Sequence, residues 1–437
     1  MRYFWIAFFF FLETSGQAAV RNVIFMIGDG MGLNHIHIAQ ELSGKKLFLT
    51  HLPTTGIVFT ASADNRVTDS AAAATALATA HKTNNHTIGK DPQGHDLPTL
   101  LEQFKKRGKW VGLVTTTELT DATPAGFAAH ADNRKDHPLI AHWILKNNVD
   151  LLLGGGRKYF LPLLNSFKKD NYEIITSNDE LSHILPLKNK KLLGLFQEET
   201  LSYEIDRNTT AEMNEEPSLS HMTQAALQFL APSPKGFFVM IEGGKIDHSS
   251  HELDVATMTQ EVLEFDRAIQ AAYNFTQKRK DTLLIVTADH ETSGLVFVEA
   301  TDIEYLRNLH ISAQHMIRHL EKDSSGLFTQ ESIQKVLKEE AHFSEVTEEE
   351  IKAIQKTSDL KLHDAARVLG SFIAKRAHFV SVSLDMIAAG NTHGHSSTPV
   401  PIFAFGSGAS VFTGVMDNTD IPLKIAKLTY DSHPKAP

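Results

Sequence analysis

Five short, unbroken apolar runs constrain this chain more than any other feature. They are Val23-Ile24-Phe25-Met26-Ile27, Trp110-Val111-Gly112-Leu113-Val114-Thr115, Phe237-Phe238-Val239-Met240-Ile241, Thr282-Leu283-Leu284-Ile285-Val286-Thr287 and Val400-Pro401-Ile402-Phe403-Ala404-Phe405. Runs of this length with no polar alternation read as strands buried on both faces, and helical segments separate them. The expected class is therefore α/β: a three-layer α/β/α sandwich with a large, mostly parallel central sheet. Ligands of such sheets bind beyond the carboxyl ends of the strands. Here Asp29, Asp121, Glu242, Asp247, Asp289 and His290 all lie just past one of these runs. A random scatter of acids would not do this.

The 437 residues leave room for two or three domains, but large α/β enzymes often fold as one. A single domain over 19–437 is expected, with a charged helical insertion at 301–385 that includes the helix start Thr347-Glu348-Glu349-Glu350. We read this insertion as a structural cap. Asp150-Leu151-Leu152-Leu153 reads as a further strand, closed by Gly154-Gly155-Gly156 as a tight turn. Residues 1–18 have the outline of a secretory signal peptide: Met1-Arg2, an apolar core at Trp5 to Leu12, then small residues at Ser15-Gly16 and Ala18-Ala19. That core is too short to span a bilayer, so a periplasmic or secreted protein without a membrane anchor is expected.

Composition narrows the chemistry. A formal charge of -10 argues against a nucleic-acid partner held by a global positive field. Cysteine is absent and histidine numbers 23, so a metal site must use His, Asp, Glu or hydroxyl donors, which favours zinc or magnesium. The glycines of Gly28-Asp29-Gly30-Met31-Gly32 are one residue too close for a dinucleotide loop, and a carboxylate at Asp29 would repel a pyrophosphate. An acid at that strand end is better placed to hold a cation.

Val67-Thr68-Asp69-Ser70 runs into an alanine-rich helix, with Thr68 or Asp69 as N-cap and Ser70 in the first turn. Read alone, Ser70 is a capping serine. Asp247 and His251 are four apart, so a helix would put them on one face, at a spacing suited to one zinc. With Asp289, His290 and a histidine of Thr392-His393-Gly394-His395, the chain can furnish two zinc sites and oxygen donors for a harder third ion. Two metals, a hydroxyl nucleophile at Ser70, a guanidinium at Arg134 and a helix N-terminus suit a tetrahedral dianion. Phosphoryl transfer is the reaction class.

In the stretches Ile24 to Gly32, Val67 to Thr79, Thr117 to Arg134, Phe238 to His251, Thr287 to His290 and His395 to Gly406, the chain resembles the alkaline phosphatases. The resemblance implies phosphate monoester hydrolysis through a phosphoserine at Ser70, with Arg134 holding the phosphate. It implies a first zinc on Asp247, His251 and His395, and a second on Asp29, Asp289 and His290. A magnesium would be held by Asp29, Thr123 and Glu242, with Asp121 reaching it through water and His248 beside Asp247. Of the two late histidines, His395 has the family's spacing to the last strand and His393 does not. The resemblance further implies a broad range of small phosphate monoesters and a homodimer. Competing readings are a phosphodiesterase or sulfatase of the same superfamily, opposed by Ser70 with Arg134, and a non-catalytic secreted zinc-binding protein, opposed by the lack of a dense histidine tract.

Overall fold

The computed structural model describes residues 19–183, 187, 190–209, 215–381, 392 and 394–430. The expected signal segment at 1–18, residues 382–385 of the expected insertion, and His393 lie outside the described residues. The apolar runs all form strands. In chain order the strands are β1 (Asn22–Gly28), β2 (Thr54–Phe59), β3 (Trp110–Glu118), β4 (Leu151–Gly155), β5 (Tyr172–Ile175), β6 (Lys191–Leu195) and β7 (Phe237–Gly243). There follow β8 (Thr282–Thr287), β9 (Glu291–Thr292), β10 (Leu295–Val296), β11 (Val380–Ser381), β12 (His395–Ser396), β13 (Val400–Gly406) and β14 (Gly414–Asp417).

Ten of them make one sheet in the order β14-β2-β13-β8-β1-β7-β3-β4-β6-β5. Neighbouring pairs are parallel except at β13, which runs antiparallel to both β2 and β8. The register lines up the chemistry. Ile27 sits between Glu242 and Thr287, so β1, β7 and β8 end level and bring Asp29, Glu242 and Asp289 to one edge. Because β13 is reversed, the residues before it arrive at that same edge. His395 is delivered there, and β12 pairs with β9 next to His290.

Two groups of helices cover the sheet. The helices Leu33–Ser43 and Leu219–Leu230 both pack on Val255–Gln277, and Ser70–Thr79, Leu100–Lys106 and Ala122–Ala128 form a second layer. Phe127 of that second layer packs edge-on to Phe25 of β1 and stacked on Phe238 of β7. All three rings are fully buried, each contributing about 2–3 kcal/mol through burial. Sequence and structure disagree at Gly154-Gly155-Gly156. Gly154 and Gly155 continue β4, because the strand passes so close to Glu199 that a Cβ on Gly155 would lie 2.0 Å from its carbonyl oxygen. Gly156 alone has the positive φ of a turn, +87°.

The expected insertion is helical, with Ile303–Arg307, Ala313–Arg318, Gln330–Glu339, Glu348–Gln355 and Leu362–Arg376. Four of these starts are capped by Asp302, Ser312, Thr329 and Thr347, the last with Glu350 in a full capping box. No helix among the described residues is long and apolar enough to cross a membrane.

Candidate active site and metal centre

Ser70 is the first residue of the Ser70–Thr79 helix, and Asp69 is its N-cap, accepting from the Ala72 amide at 3.0 Å. The alanines suit this helix because every residue in it is buried, and small side chains let it lie close to its neighbours. A Cβ on Gly126 would lie 2.7 Å from that of Ala74. The Ser70 hydroxyl is thus fixed at the positive end of a rigid helix, 3.2 Å from His290 Nε2.

Arg134 lies opposite. One terminal nitrogen donates to Asp69 Oδ2 and the other to Asp121 Oδ1, each at 3.2 Å. Burial would raise the Asp69 carboxyl, but Arg134 and the amides of Ala72 and His86 together hold it below the ordinary carboxylate range. Asp121 is likewise held down against its burial by Arg134 and His248. The guanidinium is therefore locked between two anions, with about a quarter of its side chain still exposed to meet a substrate.

Two groups of metal donors converge beside Ser70. One is Asp247, His251 and His395; the other is Asp29, Asp247 and His290. Asp247 and His251 share one face of the Lys245–His251 helix, as their spacing predicts. Separations within the first group are 3.2 Å for His251 Nε2 to Asp247 Oδ2, 3.1 Å between the two histidine Nε2 atoms, and 3.7 Å for His395 to Asp247 Oδ1. In the second, His290 Nε2 lies 3.4 Å from Asp29 Oδ1; Asp289, expected in this set, is outside the group but has Oδ2 3.3 Å from the same nitrogen. Donors at about 2.0–2.2 Å from a tetrahedral ion are about 3.3–3.6 Å apart, so both groups fit zinc. The polar bookkeeping agrees. Asp29 Oδ1 and Asp289 Oδ2 are buried with no hydrogen-bond partner among the described residues. Burial and the neighbouring acids Asp289, Asp247 and Glu242 push Asp29 well above the usual carboxylate range, and burial with Asp247 lifts Asp289 to about 7. A cation is what such carboxylates call for.

Glu242 and Thr123 stand next to Asp29. The Thr123 hydroxyl is 3.5 Å from Asp29 Oδ2, and Glu242 Oε2 accepts from Thr115 at 2.5 Å and Thr117 at 3.3 Å. Burial and then Asp121 raise Glu242 to about 8. This all-oxygen corner suits a hard ion such as magnesium. His248 Nε2 is 4.0 Å from Asp121 Oδ2. Burial and Lys245 lower this imidazole to about 4, against the pull of Asp121 and Asp247.

Two further residues belong to the site: Thr292, which has no role in the sequence reading, and Asp69, which figures there only as a helix cap. Thr292 donates to Asp247 Oδ1 at 2.5 Å and accepts from His290 Nδ1 at 3.2 Å, tying a donor of one group to a donor of the other. The His395 ring is fixed in a similar way, Nδ1 donating to the Thr68 carbonyl at 2.9 Å, so that Nε2 faces inward. Asp69 is the second, through its hold on Arg134. Both roles are contacts across the fold and leave no local signal; only the capping position of Asp69 could have drawn attention to it.

Divalent cations gripped by carboxylates and imidazoles, next to a helix-start hydroxyl and a restrained guanidinium, can surround a tetrahedral dianion. That defines the class: a metal-dependent hydrolase of phosphate esters. A model of the alkaline phosphatase family matches residues 20–430, and the chain belongs to that family. It is 34% identical to alkaline phosphatase 4 of Bacillus subtilis over 93% of this chain and 88% of the relative. Among solved structures, a cold-active alkaline phosphatase from Shewanella is 31% identical with a TM-score of 0.80, covering 93% of this chain and 99% of that one. The Thermus thermophilus enzyme is 26% identical with a TM-score of 0.84, covering 96% and 93%. The chain is accordingly a metal-dependent phosphoric monoester hydrolase.

Proposed function

We propose that the chain cleaves phosphate monoesters of broad range through a covalent phosphoserine at Ser70. The observation that carries this is the placement of Ser70 Oγ at a helix N-terminus, 3.2 Å from a metal-donor nitrogen of His290. Zinc would be held by Asp247, His251 and His395 in one place and by Asp29, Asp289 and His290 in the other. Magnesium would be held by Asp29, Thr123 and Glu242, with Asp121 beside it. Cations bound there supply Lewis acidity, lowering the pKa of the serine hydroxyl and neutralising charge on the departing oxygen.

The chain's own groups do the rest. Arg134, pinned by Asp69 and Asp121, offers a planar fork to two phosphate oxygens and so aligns phosphorus with Ser70 Oγ. Oγ, having lost its proton to solvent, forms the new bond to phosphorus as the ester P–O bond breaks. The alcohol leaves after taking a proton from water. A water oxygen then replaces Oγ on phosphorus, and the serine hydroxyl is restored as phosphate departs. A site that grips phosphate by one arginine and a helix end constrains little of the alcohol, which supports a wide substrate range. Met1-Arg2 with the Trp5 to Leu12 core supports export, and the family resemblance supports a homodimer.

Ser70→Ala is the test. Phosphate release should fall by on the order of 10³ or more with the fold and metal content intact. Full activity in this variant would overturn the reading.

A further inference from the structure

A cavity of about 890 Å³ opens beside the proposed phosphate site. Its near wall includes His248 and His251, and its far wall includes Arg318 and Arg367 from the helical insertion. The insertion is therefore one side of a chamber continuous with the site.

That far wall is held in place from below. Asp206 accepts from the Ser312 amide at 2.8 Å and its hydroxyl at 2.6 Å. Asp254 accepts from the Ala313 amide at 2.7 Å, and Glu252 from the Gln314 side chain at 2.5 Å. These three acids set the start of the Ala313–Arg318 helix, and Arg318 is one turn beyond Gln314 on the same face, both on the cavity. Arg367 comes from the Leu362–Arg376 helix, which packs on that one. A Cβ on Gly370 would lie 2.0 Å from the Glu252 carbonyl oxygen, so this helix is seated directly against the segment that follows His251.

The cavity carries carboxylates as well, but these are engaged. Glu198 pairs with Arg157 and Glu199 with Lys158, both at 2.6 Å. Glu216 accepts from Gln197 and Ser202, and Asp364 lies 3.2 Å from His363. The side chains of Arg318 and Arg367, in contrast, make no hydrogen bond or ion pair with any other described residue. Two guanidinium groups that line the same cavity as His248 and His251 have donors to spare.

We propose that this cavity receives the leaving group and that Arg318 and Arg367 bind a second oxyanion on it, a carboxylate or a second phosphate. The preferred substrates are then phosphate esters of acidic alcohols, while simple esters react without this added grip. The inference rests on the monoesterase reading above and goes on to name its substrate class.

The test compares 4-carboxyphenyl phosphate with its neutral counterpart 4-carbamoylphenyl phosphate, on the full metal-loaded enzyme and on the Arg318→Gln, Arg367→Gln double variant. The native enzyme should favour the carboxylate ester in kcat/KM. The double variant should lower that preference about tenfold, mostly through KM, and added salt should lower it in the native enzyme alone. An Arg318→Lys, Arg367→Lys variant should recover part of it. An unchanged ratio in the glutamine variant, or an equal fall for both esters, overturns the proposal, the latter because the arginines would then only brace the insertion. If the native enzyme released phosphate from neither ester, the monoesterase reading itself would fail.

Discussion

Two sets of buried acids meet in the segment after β7, where Asp247 stands a few residues before Glu252 and Asp254, and the fold treats them in opposite ways. In the first, Asp247 joins Asp29 and Asp289 around three imidazoles, and two carboxylate oxygens are left with no hydrogen-bond partner among the described residues. In the second, Asp206, Glu252 and Asp254 take hydrogen bonds from Ser312, Ala313, Gln314, Tyr203 and Thr257. Desolvating a carboxylate is costly in both places. The second set recovers that cost from amides and hydroxyls and so braces the insertion. The first takes hydrogen bonds from Thr292, Thr123 and the Gly30 and His290 amides, and the two oxygens left over call for cations. The difference separates scaffold from chemistry more clearly than burial or charge does alone.

Removing the cations should separate the two sets most strongly. Chelation should cut phosphate release by on the order of 10³ or more and lower the melting temperature, since buried carboxylates are left uncompensated. Zinc with magnesium should restore both. Recovery with calcium alone would break the distinction drawn here between imidazole-bearing and all-oxygen donor sets. Asp254→Ala should do the reverse. It removes the N-cap of the Val255–Gln277 helix and the bond to the Ala313 amide, so urea denaturation should show a loss of about 2–4 kcal/mol. Turnover of simple esters below the unfolding transition should change little; a collapse of activity without loss of stability would contradict the division.

Thr292→Val sharpens the boundary between the sets. It keeps the shape but frees Asp247 and His290 from their common hydroxyl, and zinc affinity measured against a competing chelator should weaken about tenfold. The smallest effect belongs to Glu261, a buried acid outside both sets that accepts from the Glu204 amide. Burial is the chief cause that raises its carboxyl to about 8, although the Glu204 amide and Lys245 oppose it. A folded-state value above the unfolded one means the protonated form is favoured in the folded chain. The stabilisation is complete below the ordinary carboxylate range and is lost as pH rises through about 8. Glu261→Gln should flatten that stretch of the stability–pH curve, and an unchanged slope would mean another group titrates there.

Much of this was legible in the sequence because it is local. Apolar runs without alternation gave the central strands, and the acids that follow them marked the working edge. The four-residue step from Asp247 to His251 and the capping position of Asp69 are also short-range signals. What stayed hidden depends on pairing across the fold. Nothing near Val400 tells that β13 runs backwards, although that reversal is what brings His395 to the site. Thr292 has no local sign of its two partners, and Gly154 and Gly155 resemble a turn because the approach of Glu199 is invisible in one dimension. The insertion is similar: its capped helices are readable, but its role as a cavity wall follows only from the docking of Gly370 against Glu252.

The central claim concerns Ser70, and acid trapping addresses it most directly. Enzyme mixed with substrate, quenched in acid, digested and analysed by mass spectrometry should yield one phosphopeptide, with the phosphate on Ser70. Phosphate on another residue, or no phosphopeptide from enzyme that turns over freely, would contradict the account.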